Sequence, residues 1–228
     1  MCGRYELHTP VEDIARGFDA RLTDEAAALP ARYNVAPTLR VPAVRATADG
    51  RVLEAMTWGL VPSWARDPSG VKPINARAET VFDNPMFRNA VRRRRCLIPA
   101  DGFYEWQARS GRKQPFHIGM VDDGWFAFGK IWEYRVLEGE KPRVTCAILV
   151  TRANKLMASI HERMPVIIAP ADYAAWLDPA TGQRNALEDL LQPYPAELMR
   201  ATAVGTRVNN VENDGPDLVE PVPFDRST

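Results

Sequence analysis

Histidine and cysteine are scarce in this chain, three of each in 228 residues, and neither forms a cluster. The cysteines, at positions 2, 96 and 146, are odd in number and far apart, which argues against a disulfide framework and against a two-plus-two zinc site. Reduced thiols, no metal and no cofactor are therefore expected. Long apolar runs are missing too. No stretch approaches the roughly 20 residues needed to cross a bilayer, so a soluble protein without a membrane partner is expected. Net charge is also absent, with 29 Lys+Arg against 29 Asp+Glu. The opening Met1-Cys2-Gly3-Arg4-Tyr5-Glu6 lacks the basic and then apolar character of a secretory signal, and a cytoplasmic, nucleoid-associated address is expected.

The charge that is present is unevenly spread. Residues 1–115 hold 18 basic and 13 acidic side chains, and the remainder 11 and 16, so a basic face can exist on a neutral chain. Nineteen prolines and fourteen glycines cut the sequence into short segments, which favours strands and loops over long helices. Runs rich in β-branched, aromatic or aliphatic residues predict strands at Val41–Arg45, Leu53–Trp58, Cys96–Pro99, Phe103–Gln107, Phe116–Met120, Trp125–Trp132, Thr145–Val150 and Val166–Ile168. Helical spacing is found in Val11–Phe18, in Thr80–Asn84 running on to Met86–Arg95, in Pro170–Leu177 and in Arg184–Leu191. Regular β-α-β alternation is not seen. The pattern predicts an α+β fold with a mostly antiparallel, barrel-like β core and a few short peripheral helices, as one domain over residues 1–228, monomeric, with a loose tail after 221.

Cys2 stands out by position. Removal of Met1 leaves an α-amine of pKa ~8 beside a thiol of pKa ~8.5 on one residue. Such an aminothiol condenses with an aldehyde and then closes a five-membered thiazolidine ring on the same carbon, which an internal cysteine cannot do. A small apolar side chain tucked into the fold is the alternative use. Arg32-Tyr33-Asn34-Val35-Ala36-Pro37 reads as a loop entering a strand, in which Asn34 either orients an amine or sugar hydroxyl or closes an Asx turn. In Asp101-Gly102-Phe103-Tyr104-Glu105-Trp106, alternation puts Phe103 and Glu105 on one face and Tyr104 and Trp106 on the other. A carboxylate among aromatics keeps its proton to higher pH, as a general acid and base requires; an edge glutamate paired with an arginine is the rival use.

His161, in Ile160-His161-Glu162-Arg163-Met164-Pro165, lies just before an apolar strand, placed either to exchange protons with a sugar oxygen or to cap a turn. Trp58-Gly59-Leu60-Val61-Pro62-Ser63-Trp64 and Asn75-Ala76-Arg77-Ala78-Glu79-Thr80 supply indole, amide and guanidinium groups suited to base stacking and phosphate clamping, with Trp58 expected in the core and Trp64 outside. Arg88 and the run Arg92–Arg95 suggest phosphate contacts, although such a run is often only a solvated face.

In this order the motifs, from Met1-Cys2-Gly3-Arg4 through Asn34, Trp58-Gly59-Leu60-Val61-Pro62, Asn75-Ala76-Arg77, Glu105 and His161 to Val208-Asn209-Asn210-Val211-Glu212-Asn213, resemble the SRAP family, SOS-response-associated peptidase domains that also serve as abasic-site processing proteins. The resemblance runs from residue 2 to about 221. It implies a SRAP fold that binds single-stranded DNA, prefers an abasic site near a duplex junction and links Cys2 to the opened sugar. It further implies that Asn34 positions the Schiff base, Glu105 shuttles protons, His161 helps open the deoxyribose, and Trp64, Asn75 and Arg77 hold DNA; Arg4, Arg88 and Arg92 join them as DNA-binding candidates, the arginine run on its charge alone. Ser63-Trp64 departs from members with two adjacent tryptophans, which implies a smaller wedge. β-Elimination from the same Schiff base implies a weak lyase activity. Two rivals remain open at this level: a thiol peptidase of the N-terminal-nucleophile kind, with autocatalytic loss of Met1, and a non-enzymatic DNA-binding module in which Cys2 is structural.

Overall fold

A computed structural model of the chain describes residues 2–65, 70, 72–109, 111–136 and 142–224. The first half forms β1 (Tyr5–Leu7), α1 (Val11–Gly17), β2 (Ala20–Leu22), α2 (Asp24–Ala27), β3 (Arg32–Val35), β4 (Arg40–Thr47), β5 (Gly50–Trp58), β6 (Asn75–Arg77), α3 (Arg88–Arg93), β7 (Arg95–Ala100) and β8 (Gly102–Arg109). The second half adds β9 (Arg112–Met120), β10 (Phe126–Arg135), β11 (Arg143–Arg152), β12 (Arg163–Pro165), β13 (Ile167–Ile168), α4 (Tyr173–Leu177), α5 (Arg184–Leu187) and β14 (Met199–Ala203). The fold is α+β, as the segment pattern predicts.

Two sheets make the body. The larger runs β12-β11-β10-β7-β4-β5-β2, with β13 beside β10 and β6 beside β11. Its path closes on itself, because β5 also pairs with β11, Thr57 facing Thr145 and Trp58 facing Cys146. This closure is parallel, as are the β6–β11 and β2–β5 pairings, so the antiparallel expectation holds for most of the ring but not at its seam. Strands at the centre of such a ring are covered on both faces and read as continuous apolar runs. Arg95–Ala100 of β7, Phe126–Ile131 of β10 and Thr145–Thr151 of β11 are buried at every position. The β4–β5 hairpin turns at Gly50, whose φ of +109° suits glycine, while the Thr47 hydroxyl donates to the Gly50 carbonyl (2.8 Å).

The smaller sheet, in the order β14-β9-β8-β1-β3, is antiparallel throughout. Its inner face packs on the ring through aromatic edges: Phe128 lies edge-on to Tyr5 and Phe103 at centroid distances of 5.7 and 6.0 Å, and Phe126, on the same ring strand, lies edge-on to Phe103 at 6.3 Å. Its outer face carries Tyr104 and Trp106 against Val204, Val208 and Val219, so the predicted alternation along β8 is realised. At the start of β8 the paired side chains of His117 and Glu6 lie over Gly102: a Cβ there would be 2.0 Å from His117 Nε2 and 2.9 Å from Glu6 Oε1, so any larger residue would displace that pair.

All eight predicted strands form, several of them longer than their apolar cores suggested. The helices are shorter than predicted. Within Thr80–Arg95 only Arg88–Arg93 is α-helical, because Pro85 has no N–H to give and the preceding residues close as single turns. Pro170–Leu177 and Arg184–Leu191 each combine a 3₁₀ turn with four or five α-helical residues. The tail is tied down further than predicted: Val222 N–H donates to the Ala203 carbonyl (2.9 Å) and Phe224 packs edge-on to Phe116 (4.9 Å). Residues 225–228 lie outside the described residues.

Phe128 joins the two sheets and is fully buried. Phe128→Ala is expected to cost about 3–5 kcal/mol of unfolding free energy, measured by urea denaturation.

Candidate active site

The site is built where the chain start meets the open end of β8. The β1–β8 pairing places Tyr5 opposite Phe103, and the Tyr104 N–H then donates to the Arg4 carbonyl (2.9 Å). The segment before β1 is thereby led alongside Glu105. Cys2 is fully buried, and its carbonyl accepts from Asn75 Nδ2 (2.9 Å). Asn75 is itself fixed by register, since β6 pairs with β11 and sets Asn75 opposite Ile148. Burial pushes the Cys2 thiol up to about 12; the nearby Glu105 adds to this and Lys130 opposes it. Met1 lies outside the described residues.

Glu105 is 2% exposed on β8. Burial raises its carboxyl above the ordinary carboxylate range, and the electrostatic influence of nearby His161 partly offsets that rise. His161 follows a 3₁₀ turn at Met157–Ser159 and accepts the Arg163 N–H at Nδ1 (2.9 Å). A ring that accepts at Nδ1 carries its proton on Nε2, the nitrogen not engaged by the backbone. Glu105 and His161 line one open cavity of about 410 Å³ together with Trp106, Lys113 and Asn209. A buried acid of raised pKa and an imidazole thus lie around one opening, with the buried Cys2 behind its lining and within electrostatic reach of the acid. That set can move protons and present a nucleophile.

Asn34 is 1% exposed and serves the scaffold. Its Oδ1 accepts from Arg4 Nη1 (2.8 Å), while its Nδ2 donates to the carbonyls of Asn210 (3.0 Å) and Asn213 (2.7 Å). Arg4 Nη1 also donates to the Val208 carbonyl (2.7 Å), and its guanidinium lies 5.9 Å from the Trp106 ring. Trp106 Nε1 in turn donates to Asn209 Oδ1 (2.7 Å). Asn34 and Arg4 therefore lock the 208–213 segment that forms one wall of the cavity.

The other residues singled out in the sequence are dispersed. Trp58 is buried with its indole donating to the Ile74 carbonyl (2.9 Å), and Trp64 is 61% exposed, both as expected. Arg77 is exposed at the end of β6. The arginine run does not act as a unit. Arg94 pairs with Glu133 (2.7 Å), and the buried Arg95 donates to the carbonyls of Trp176 (2.6 Å), Val91 (2.8 Å), Arg92 (2.8 Å) and Asp178. Arg88 and Arg92 remain on the surface, Arg92 over the Phe82 ring at 5.9 Å, and the cavity takes no described residue from α3. Trp106, Lys113 and Asn209 are the cavity residues that sequence reasoning gave no role. Trp106 and Asn209 sit inside recognised motifs, whereas Lys113 carries no local signal.

The chain belongs to the SRAP family: residues 1–211 match its description, SOS response associated peptidase. It is 39% identical over 224 residues to the abasic site processing protein YoqW of Bacillus subtilis (strain 168), covering 96% of this chain and 99% of that protein. To the abasic site processing protein YedK of Escherichia coli (strain K12) it is 28% identical over 227 residues, covering 97% of this chain and all of the other. A crystal structure of a protein from Bacteroides thetaiotaomicron superposes with a TM-score of 0.86 at 24% identity, covering 97% of this chain and 100% of that one, and shares the fold.

Asn34→Ala removes the acceptor for Arg4 and the donor for two carbonyls of the 208–213 turn. Amide hydrogen exchange in residues 207–213 is expected to speed up by tenfold or more, corresponding to about 1–3 kcal/mol of lost local stability.

Proposed function

We propose that this protein processes abasic sites in single-stranded DNA by forming a covalent adduct through Cys2 once Met1 is removed. The observation that carries the reading is that Cys2, tethered by Asn75, is within electrostatic reach of Glu105, which in turn lines a cavity together with His161. The names of relatives that match nearly the whole chain support the same substrate.

The chemistry follows from the residues. His161, with its proton on Nε2, hydrogen-bonds the ring oxygen of the deoxyribose, which gains a proton as the hemiacetal hydroxyl loses one and the sugar opens to its aldehyde. The Cys2 amine adds to that carbonyl. Protonated Glu105, kept neutral by burial, gives its proton to the departing hydroxyl, so that water leaves and an iminium remains. The thiol then adds to the same carbon, its proton passing to the ionised Glu105, and the thiazolidine closes. Run backwards, these steps release the aldehyde. Loss of a proton from the neighbouring sugar carbon at the iminium stage breaks the strand instead, which gives a lyase side reaction.

DNA reaches the cavity across the exposed Trp64 and Arg77, with Arg88 and Arg92 as more distant phosphate contacts. Arg4 and Asn34 act by holding the wall of the cavity, and Asn75 by holding Cys2. The partner is single-stranded DNA bearing the lesion, near a duplex junction, met by a monomer in a DNA-associated location.

Glu105→Gln, which cannot exchange a proton, is expected to slow adduct formation on an abasic oligonucleotide by about 10²–10⁴-fold, measured by denaturing gel, with binding of intact single strands unchanged. Wild-type capture is expected to fall as pH rises through the elevated Glu105 pKa, because only the protonated acid assists water loss, and the glutamine variant to lose that limb of the profile. Cys2→Ser retains the amine but closes no thiazolidine, and is expected to give an adduct that survives only after borohydride reduction. Equal rates for wild type and Glu105→Gln, or an unreduced stable adduct with Cys2→Ser, would overturn the assignment.

A further inference from the structure

Inside the ring, one charged side chain has no part in the scheme above. Lys130 of β10 is fully buried, and its Nζ has no hydrogen-bond partner among the described residues. Its ammonium lies 4.7 Å from the centre of the Trp58 ring and 5.6 Å from that of Tyr5. Aromatic faces attract a cation, but they accept no conventional hydrogen bond and do not replace the hydration that an ammonium loses on burial. A lysine at such a position is costly unless something nearby uses its charge.

Strand register shows what is nearby. Lys130 pairs with Cys96 on β7 and with Ile148 on β11, and Ile148 pairs with Asn75 on β6. Directly paired residues project from the same face, so Cys96, Lys130, Ile148 and Asn75 form one row across the interior of the ring. Asn75 is the residue that holds the Cys2 carbonyl. Cys146 stands two residues from Ile148 on the same face and pairs with Trp58, the nearer of the two rings beneath the ammonium. The ionisable groups within electrostatic reach of Lys130 are the thiols of Cys2, Cys96 and Cys146, the phenol ring of Tyr5 lies beside its ammonium, and Glu105 acts on Cys2 as well.

We propose that Lys130 is a positioning residue for Cys2: its buried positive charge stands against the thiolate that closes on the captured aldehyde and holds that sulfur on the interior side of the opening. The proposal rests on the reading of Cys2 as the capturing residue. It also gives Cys2 two opposed neighbours. Glu105 disfavours thiolate and serves the amine step, whereas Lys130 favours thiolate and serves ring closure, consistent with the directions in which burial and these two groups move the thiol.

The test needs no DNA. Alkylation of Cys2 by iodoacetamide is followed by peptide mass spectrometry across pH 6–10 in the full-length protein, wild type and Lys130→Met. Methionine matches the stem of lysine without its charge. The variant is expected to need at least about one pH unit more alkali for the same Cys2 alkylation rate, a roughly tenfold loss of rate at fixed pH. On an abasic oligonucleotide its adduct is expected to stay sensitive to borohydride for longer, because ring closure is the delayed step. Lys130→Gln gives the same reading if the methionine variant fails to fold. An unchanged Cys2 alkylation profile in a folded variant overturns the proposal. Because that profile is read without DNA, it does so whether or not the wild-type protein captures an abasic site.

Discussion

The arrangement depends on one hydrogen bond, from the Asn75 side chain to the Cys2 carbonyl. A chain start is ordinarily the least constrained part of a protein, because nothing precedes it to limit its motion. Here the residue that receives it is fixed by the seam of a closed sheet. β11 pairs in parallel with both β5 and β6, and these pairings set Trp58 and Asn75 beside the same strand. Closure of the ring is thus also the placement of Cys2. The catalytic proposal needs both ends of that chain of causes, since an aminothiol free in solution would meet an aldehyde without Glu105 or His161 beside it.

Burial is the second constraint, and it acts on three groups in different senses. It keeps Glu105 protonated to higher pH, raises the Cys2 thiol to about 12 and lowers Lys130. A carboxylic acid that keeps its proton to higher pH suits water loss, while a thiol that resists ionisation suits a residue that should stay quiet until a carbonyl is bound. The opposing influence of Lys130 then acts at the later step. Several ordinary-looking buried polar residues thereby become parts of one electrostatic design.

Much of this was legible in the sequence, for physical reasons that differ from element to element. Period-two alternation in Phe103-Tyr104-Glu105-Trp106 fixed which side chains face inward, and the structure follows it. Apolar runs such as Thr145–Val150 marked the ring strands, because strands covered on both faces need no polar positions. Short strands were not visible. β1, β6 and β12 are three residues each, held by pairing partners distant in sequence, and no local propensity announces them. The helix predicted across 80–95 failed at Pro85, where periodicity outvoted a residue that cannot donate.

The site shows the same division. Cys2, Glu105 and His161 stand out in the sequence as candidates because their chemistry is rare or their setting unusual, whereas the hydrogen bonds of Asn34 do not. Its amide is taken up by Arg4 and by the carbonyls of Asn210 and Asn213, some 180 residues away, which only the fold brings within reach. Arg95 likewise read as a surface charge and is buried among four carbonyls. Intact-mass spectrometry of the native protein, before and after incubation with a single-stranded oligonucleotide carrying one abasic site, tests the central claim most directly. The predicted species lacks Met1 and then gains the mass of the oligonucleotide less one water. Persistence of Met1, or no gain in mass, would contradict it.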